Sequence, residues 1–141
     1  MAFWDMDEWI KKKGITNMRV LCGTDIIEIN RIKEAIVQMK EPFLERIYEQ
    51  KEIDYCESKK TQKYQHYAAR FAAKEAVFKA ISELLPNNSP FGWKNIVVEN
   101  TMQGKPKVHL EKITLDTIEE IQLSLSHCKD YAVAMAIVTV K

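Results

Sequence analysis

The stretch RFAAKEAVFKA, residues 70–80, predicts the central helix of the fold and carries a charged residue where an apolar one is expected. Alanines at positions 72, 73, 76 and 80 cover much of the helix circumference at about 100° per residue. A helix that is apolar nearly all round is buried. Glu75 nevertheless lies between Phe71 and Phe78. Because an unpaired buried carboxylate is costly, we expect Glu75 to face a cation.

A second carboxylate, Asp25 in the stretch GTDIIE, occupies a similar position on a predicted strand. Residues 18–29 are apolar on both alternating faces, which is typical of a strand buried on both sides. Asp25 shares one of those faces with Leu21, although aspartate is depleted in strands. Two plainer interpretations stay open on the sequence alone. Glu75 could form a surface pair with Lys79 one turn later, and Asp25 could accept hydrogen bonds in a turn.

Two carboxylates in apolar surroundings, with basic residues nearby, favour a site for a hard divalent cation. Magnesium usually takes one or two protein carboxylates and completes its octahedron with water and phosphate oxygens. Arg70, Lys74 and Lys79 surround Glu75 in the sequence of the helix and would meet those phosphates. The pattern therefore predicts phosphoryl chemistry on a diphosphate, with Asp25 and Glu75 as ligands of Mg²⁺.

The bulk composition limits the classes of protein to which the chain can belong. Its 141 residues suit one compact domain, and 46% hydrophobic with 29% charged residues indicates a globular chain. No apolar run reaches the roughly 20 residues of a membrane span, so we expect no membrane association. Three cysteines without CxxC spacing argue against a disulfide framework or zinc site and predict a cytoplasmic protein. A net charge of +1 argues against nucleic acid as a partner.

The order of the predicted elements indicates an α+β fold. After the strand at residues 18–29 comes a helical middle, with segments at about residues 30–40, 43–58 and 64–85. Three or four antiparallel strands follow, at WKNIVVEN, KVHL, IQLSLSH and AVAMAIVTV, with the turn MQGKP after the first. We expect an antiparallel sheet packed against a long central helix and shorter helices. Residues 1–17 are predicted to form an N-terminal helical extension, and residues 18–141 a single domain.

Four motifs together resemble those of the holo-acyl-carrier-protein synthases, the small class of 4′-phosphopantetheinyl transferases. GTDIIEINRI, RFAAKEAVFKA, the QGKP turn and SLSHCKDYA occur in the order and near the spacing of that family, over residues 18–139. The resemblance implies an α+β fold and Mg²⁺-dependent transfer of 4′-phosphopantetheine from coenzyme A to a carrier-protein serine, with release of adenosine 3′,5′-bisphosphate. It also implies an acyl carrier protein of fatty-acid or polyketide type as partner. A homotrimer with active sites at the subunit interfaces is implied as well.

The resemblance also implies a role for individual residues. Asp25 and Glu75 match the ligands of Mg²⁺, and together with Lys79 they match the catalytic set. The residues that match coenzyme A contacts are Arg70, Lys74, Lys79, Gly104, Lys105, Pro106 and His127, the last from across a subunit interface. The residues that match the contact surface for the acyl carrier protein are Arg31, Phe43 and Arg46.

Two rival functions stay open at this level. The chain could be a catalytically silent coenzyme A-binding interaction module, although both carboxylates and their basic neighbours are present. The stretch KKTQKYQHYAAR interleaves basic and aromatic residues, as surfaces that bind single-stranded nucleic acid do. Its plainer interpretation is the solvated, charged start of a helix.

Overall fold

The computed structural model describes residues 5–14 and 18–141, and its elements follow the predicted α+β order. The helices are α1 (Met6–Lys12), α2 (Ile29–Met39), α3 (Glu41–Ile47), α4 (Gln50–Glu57) and α5 (Lys63–Ile81). The strands are β1 (Arg19–Glu28), β2 (Ile96–Asn100), β3 (Pro106–Leu110), β4 (Ile118–His127) and β5 (Tyr131–Val140). Among the described residues, no helix has both the length and the apolar character needed to cross a membrane.

A three-stranded antiparallel sheet supports the candidate site. Its strand order is β1-β5-β4, and β2 with β3 forms a separate antiparallel hairpin. Asp25 on β1 lies opposite Ala134 on β5, which in turn lies opposite Leu125 on β4. Leu123 and Leu125 face the core, and a shift of one residue would turn them outward, so the apolar alternation sets the register. The predicted antiparallel sheet with a long central helix is confirmed.

Helix α5 packs closely on β1 because both surfaces lack bulky side chains at the contact. Its alanines are buried, with 5% or less of their surface exposed: Ala68, Ala69, Ala72, Ala73, Ala76 and Ala80. A Cβ atom added at Gly23 would lie 2.0 Å from the carbonyl oxygen of Ala76. Only glycine allows this crossing, and the close approach brings the inner face of β1 against the helix that carries Glu75.

The outer face of the sheet is open, which corrects the prediction that β1 is buried on both sides. α5 packs on the inner face, whereas Val20 and Ile26 on β1 are 56% and 63% exposed. Val133 and Met135 on the neighbouring strand β5 are exposed as well. An exposed apolar face of this kind is more often an interaction surface than a face that stays in contact with solvent.

The helical middle is more segmented than the sequence predicts. The segment at residues 43–58 is two helices, because Tyr48 and Glu49 have extended backbone between α3 and α4. The hydroxyl of the buried Tyr48 donates to the carbonyl of Tyr67 at 2.8 Å, which fixes this break against α5. The central helix ends at Ile81, short of the predicted end, and a 3₁₀ turn follows it.

A short helix, α1, precedes the sheet in the region of the predicted N-terminal extension. The carboxylate of Asp5 caps it by accepting from the backbone N–H of Asp7 at 3.0 Å. Residues 1–4 and 15–17 lie outside the described residues. The division of the chain into an extension at residues 1–17 and a domain at residues 18–141 therefore stays a prediction.

Candidate active site

Asp25 and Glu75 meet where β1 packs against α5. Asp25 lies on the inner face of β1, and its side chain is 16% exposed. Glu75 lies on α5 and is half-buried. Both line one cavity of about 380 Å³, together with Ile26, Ile27, Glu28, Arg31, Phe71 and Tyr131. The structure thus brings together the two carboxylates that the sequence placed fifty positions apart.

Lys79 is the basic residue that reaches this pair. Its ammonium donates to Asp25 Oδ1 at 3.0 Å and to the carbonyl of Thr24 at 3.0 Å. Burial raises the pKa of Glu75, the negative charge of Asp25 raises it further, and Lys79 opposes both effects. The acidic groups at this cavity, Asp25, Glu28 and Glu75, outnumber the basic groups Arg31 and Lys79 by one, which leaves an excess of negative charge. The site therefore favours an added cation.

The donor set at this site fits Mg²⁺. Two carboxylates supply hard oxygen ligands, and the cavity leaves room beside them for water and phosphate oxygens. Over residues 5–14 and 18–141, no group of three or more histidine, cysteine, aspartate or glutamate side chains could enclose a metal. An ion that accepts two protein ligands and keeps several waters suits this arrangement better than one that needs a full protein cage.

A second cavity, of about 220 Å³, also borders Glu75 and has an aromatic wall. Phe78 and Phe91 stack there with ring centroids 6.0 Å apart. Trp93 lines the same cavity and stacks on Phe71 at 4.9 Å. Glu75 therefore borders one cavity that carries several charged side chains and another that has an aromatic wall, which suits a ligand with a charged group and a less polar arm.

Lys74 is not a free cation beside Glu75, which corrects the expected cluster of three basic residues. Its buried ammonium donates to Glu52 Oε1 at 2.7 Å and to the carbonyls of Trp93 at 3.1 Å and Ile96 at 2.5 Å. These bonds use all three donors of the ammonium, so a contact with phosphate would require Lys74 to give up one of them, and that contact stays a prediction. Burial lowers the pKa of Lys74, and the nearby carboxylate of Glu52 opposes that shift. The structure gives Lys74 a packing role in which it ties α5 to α4 and β2.

Arg70 also lies away from the two carboxylates. Its guanidinium donates to Asn100 Oδ1 at 2.6 Å and stacks on Tyr55, with Cζ 4.0 Å from the ring centroid. Asn100 donates in turn to the carbonyl of Gly104 at 3.1 Å, which places the predicted nucleotide turn beside Arg70. Gly104 has a φ of +83°, a backbone conformation that favours glycine.

The other predicted coenzyme A contacts lie near Arg70 and not near Glu75. Lys105 is exposed on the turn, and Pro106 begins β3. His127 ends β4, with its ring centroid 6.3 Å from that of His66 on α5. Within one chain, the predicted contacts therefore form two groups, one at the carboxylates and one at Arg70. Their contacts with coenzyme A stay predictions.

Arg31 is the predicted carrier contact that reaches the carboxylates. It lies in the first turn of α2 and lines the cavity of Asp25 and Glu75. Arg46 is exposed on α3. Phe43 is partly buried against the core that lies beneath α2 and α3, so only part of its ring is accessible to a partner. The roles of these three residues toward a carrier stay predictions.

Two residues that position the site escaped the sequence analysis. Glu52 is buried and accepts from both Lys74 and the backbone N–H of Val98, the latter at 3.1 Å. Asn100 links Arg70 to the turn at Gly104. The sequence did contain a signal that an acid was needed, because Lys74 on an apolar helix requires an anion as much as Glu75 requires a cation. Which acid supplies it depends on tertiary packing.

Comparisons with known proteins agree on one family. The sequence profile of the 4′-phosphopantetheinyl transferase superfamily matches residues 21–136. The holo-[acyl-carrier-protein] synthase of Ruminiclostridium cellulolyticum is 46% identical over 127 residues, which cover 86% of this chain and 93% of that protein. The Helicobacter pylori holo-[acyl-carrier-protein] synthase in complex with coenzyme A has a TM-score of 0.72 at 29% identity, covering 84% of this chain and 99% of that one. The Bacillus anthracis synthase in complex with CoA (3′,5′-ADP) has a TM-score of 0.69 at 34% identity, covering 88% and 99%.

Proposed function

We propose that this chain, which belongs to the holo-[acyl-carrier-protein] synthases of the 4′-phosphopantetheinyl transferase superfamily, catalyses an Mg²⁺-dependent transfer. The group transferred is 4′-phosphopantetheine, which passes from coenzyme A to a serine of an apo acyl carrier protein. The second product is adenosine 3′,5′-bisphosphate. The observation that carries the proposal is the convergence of Asp25 and Glu75 on one cavity with an excess of negative charge. Crystal structures of two relatives with coenzyme A or its nucleotide support the choice of co-substrate.

The residues around the cavity divide the work of this reaction. Asp25 and Glu75 would hold the ion through their carboxylate oxygens, and the bound ion supplies Lewis-acid stabilisation of the diphosphate. Lys79 has a half-exposed side chain, so it is free to turn from Asp25 toward a phosphate oxygen and stabilise its charge. The neighbouring cavity, with Phe78 in its wall, offers an apolar surface to the pantetheine arm.

The carrier is proposed to approach over α2. Arg31 borders the cavity of the two carboxylates, so a carrier bound there would present its serine at the reacting phosphate. Arg46, exposed on α3, would add a second positive charge for an acidic carrier of fatty-acid or polyketide type. Phe43 would contribute the part of its ring that packing leaves accessible.

A homotrimer is proposed from the open face of the sheet. The exposed apolar residues on this face are Val20, Ile26, Tyr131, Val133 and Met135. Further copies of the chain would bury them, as oligomer interfaces do. In such an assembly the group at Arg70 and His127 of one subunit would complete the carboxylate site of the next. This arrangement would account for the separation of the two groups within one chain.

The test is a transfer assay read by mass. We expect an apo acyl carrier protein, incubated with this chain, coenzyme A and Mg²⁺, to gain the mass of one phosphopantetheine arm. Chelation of Mg²⁺ should prevent the gain, and added Mg²⁺ should restore it. Binding of coenzyme A without any mass gain would instead support the catalytically silent binding module.

A further inference from the structure

Helix α1 carries an apolar side that its own chain does not bury. Met6, Trp9 and Ile10 lie within about 100° of the helix circumference. Among the described residues of α1 none is buried, and Met6 and Trp9 are 64% and 41% exposed. A helix of seven residues is marginally stable in water by itself. We therefore expect the apolar side of α1 to pack on another surface.

The catalytic machinery does not account for α1. The helix precedes residues 21–136, the part of the chain that matches the superfamily, and it lines neither of the cavities that border Glu75. Its exposed tryptophan is of the residue type that most often dominates the free energy of a protein interface. These features favour an interaction role for α1 over a role at the active site.

The open face of the sheet offers an apolar surface close to the point where α1 joins β1. Met18 follows Lys12 by six residues, so the chain between them spans at most about 22 Å. Met18 and Val20 are exposed, and Val20 begins a row across the sheet that continues through Thr139 to Glu120. Within one chain, α1 and this end of the open face leave each other uncovered. We call the row of Val20, Thr139 and Glu120 the Val20 end.

The charges beside the two apolar surfaces are complementary. Lys12 flanks the apolar side of α1, where it lines one recess with Trp9. Glu120 is exposed at the Val20 end, and in the part of the chain that the structure describes it forms no salt bridge. If Trp9 covers Val20, Lys12 can meet Glu120. A charge pair at the rim of an apolar contact fixes its register.

We propose that α1 of one copy packs its apolar side on the Val20 end of a second copy, with Lys12 beside Glu120. The inference rests on the proposed function, because it takes the homotrimer as the assembly. In a cyclic assembly, equivalent residues lie at the same height along the symmetry axis. The chain that tethers α1 therefore starts level with the Val20 end of the neighbouring copy. The contact would extend the interface that the open face provides.

Sedimentation velocity over a dilution series tests this contact. We expect Trp9→Ala to raise the protein concentration at which half of the trimer dissociates by at least about tenfold, because each interface loses its largest anchor. Glu8→Gln, on the polar side of α1, is the matched control and should dissociate as the wild type does. At concentrations where Trp9→Ala remains trimeric, its transfer activity and its KM for the carrier should equal those of the wild type.

Two further measurements identify the surface that α1 contacts. Lys12→Glu and Glu120→Lys should each weaken assembly, and the double variant should recover part of the loss because the charge pair is restored in reverse. A photo-crosslinking side chain, introduced as Trp9→p-benzoylphenylalanine, should join two copies into a species of twice the mass of one chain. Peptide mapping should place the crosslink at Val20 or at its neighbours on β5 and β4.

The possible failures separate this inference from the proposed function. A trimeric wild type with Trp9→Ala that dissociates at the same concentration, or with crosslinks confined to one chain, would refute the contact and leave the proposed function standing. Unchanged assembly with a raised KM for the carrier would make α1 a carrier contact and would also overturn the inference. A wild type that is monomeric at every concentration would refute the proposed homotrimer, and this inference with it.

Discussion

At Glu75, burial and a neighbouring negative charge act in the same direction. Burial and the neighbouring carboxylate of Asp25 both raise the pKa of Glu75, so the folded chain favours its protonated form. When folding raises the pKa of a carboxyl, the free energy of unfolding decreases as the pH rises from the pKa of the group in the unfolded chain to its pKa in the folded chain. At pH 7 the metal-free protein therefore holds a destabilising charge. A bound cation would remove that cost. A carboxyl with a pKa perturbed in this way is typical of a functional site.

Replacing Glu75 with glutamine should separate stability from activity. The change keeps the shape and removes the charge, so we expect the metal-free Tm at pH 7 to be equal to or above that of the wild type. We expect transfer activity to fall by at least about 100-fold, the loss that follows removal of one important electrostatic group. Thermal denaturation and the carrier mass assay measure the two effects.

The matched control is Glu119→Gln, at an exposed position on β4, which should alter neither quantity. A Glu75→Gln protein that melts well below the wild type yet retains full activity in its folded fraction would contradict the assignment of Glu75 as a ligand.

At the scale of elements, the contact between β1 and α5 depends on the missing side chain at Gly23. Gly23→Ala would place its Cβ 2.0 Å from the Ala76 carbonyl oxygen, so strand and helix would have to separate. We expect a loss of about 3 kcal/mol or more in the free energy of unfolding, at the upper end for overpacked sites. Gly92→Ala, with nothing within 4 Å of its added Cβ, should change this free energy little. Equal effects in urea denaturation would contradict the close crossing.

The buried pair of Lys74 and Glu52 joins α5 to α4. Lys74→Met leaves a buried carboxylate unpaired, so we expect a loss of about 3–5 kcal/mol in the free energy of unfolding. Adding Glu52→Gln should recover part of that loss, because glutamine still accepts from the N–H of Val98 and carries no charge. Coenzyme A affinity of the folded double variant should match the wild type. A large loss of that affinity would restore Lys74 as a phosphate contact.

The sequence predicted elements better than it predicted the directions of their side chains. The alanines of α5 and the alternation of β4 indicated burial and register, because both depend on local periodicity. The three cations of α5 were expected around Glu75, yet Arg70 meets Tyr55, Lys74 meets Glu52 and Lys79 meets Asp25. Those partners lie on other elements, and helical spacing alone carries no information about them.

At the scale of the whole molecule, the open face of the sheet is the surface through which we propose that copies of the chain assemble. The apolar residues on both faces of β1 predicted a strand buried within one chain, whereas one face of β1 is exposed in the structure. The pattern is consistent with burial between copies, a distinction that the sequence of one chain does not encode. We expect light scattering to give a mass of about 49 kDa, three times the 16.4 kDa of one chain.

Met135→Lys should disrupt this assembly. Met135 is exposed at the centre of the open face, where it lies between Thr24 and Ser124 on the neighbouring strands. A lysine there would place a charge in each interface, so we expect monomers of 16.4 kDa with little transfer activity. Met102→Lys, on a fully exposed turn, should remain trimeric. A wild type that is monomeric and fully active would contradict shared sites.

The central claim, that Asp25 and Glu75 together hold one divalent ion beneath the diphosphate, is tested most directly by counting bound ions. Mn²⁺ can replace Mg²⁺ as a paramagnetic probe, and its free fraction can be measured by electron paramagnetic resonance in the presence of coenzyme A. We expect one bound Mn²⁺ per wild-type chain and at least about tenfold weaker binding in Asp25→Asn and in Glu75→Gln. Unchanged stoichiometry and affinity in both variants would contradict the claim.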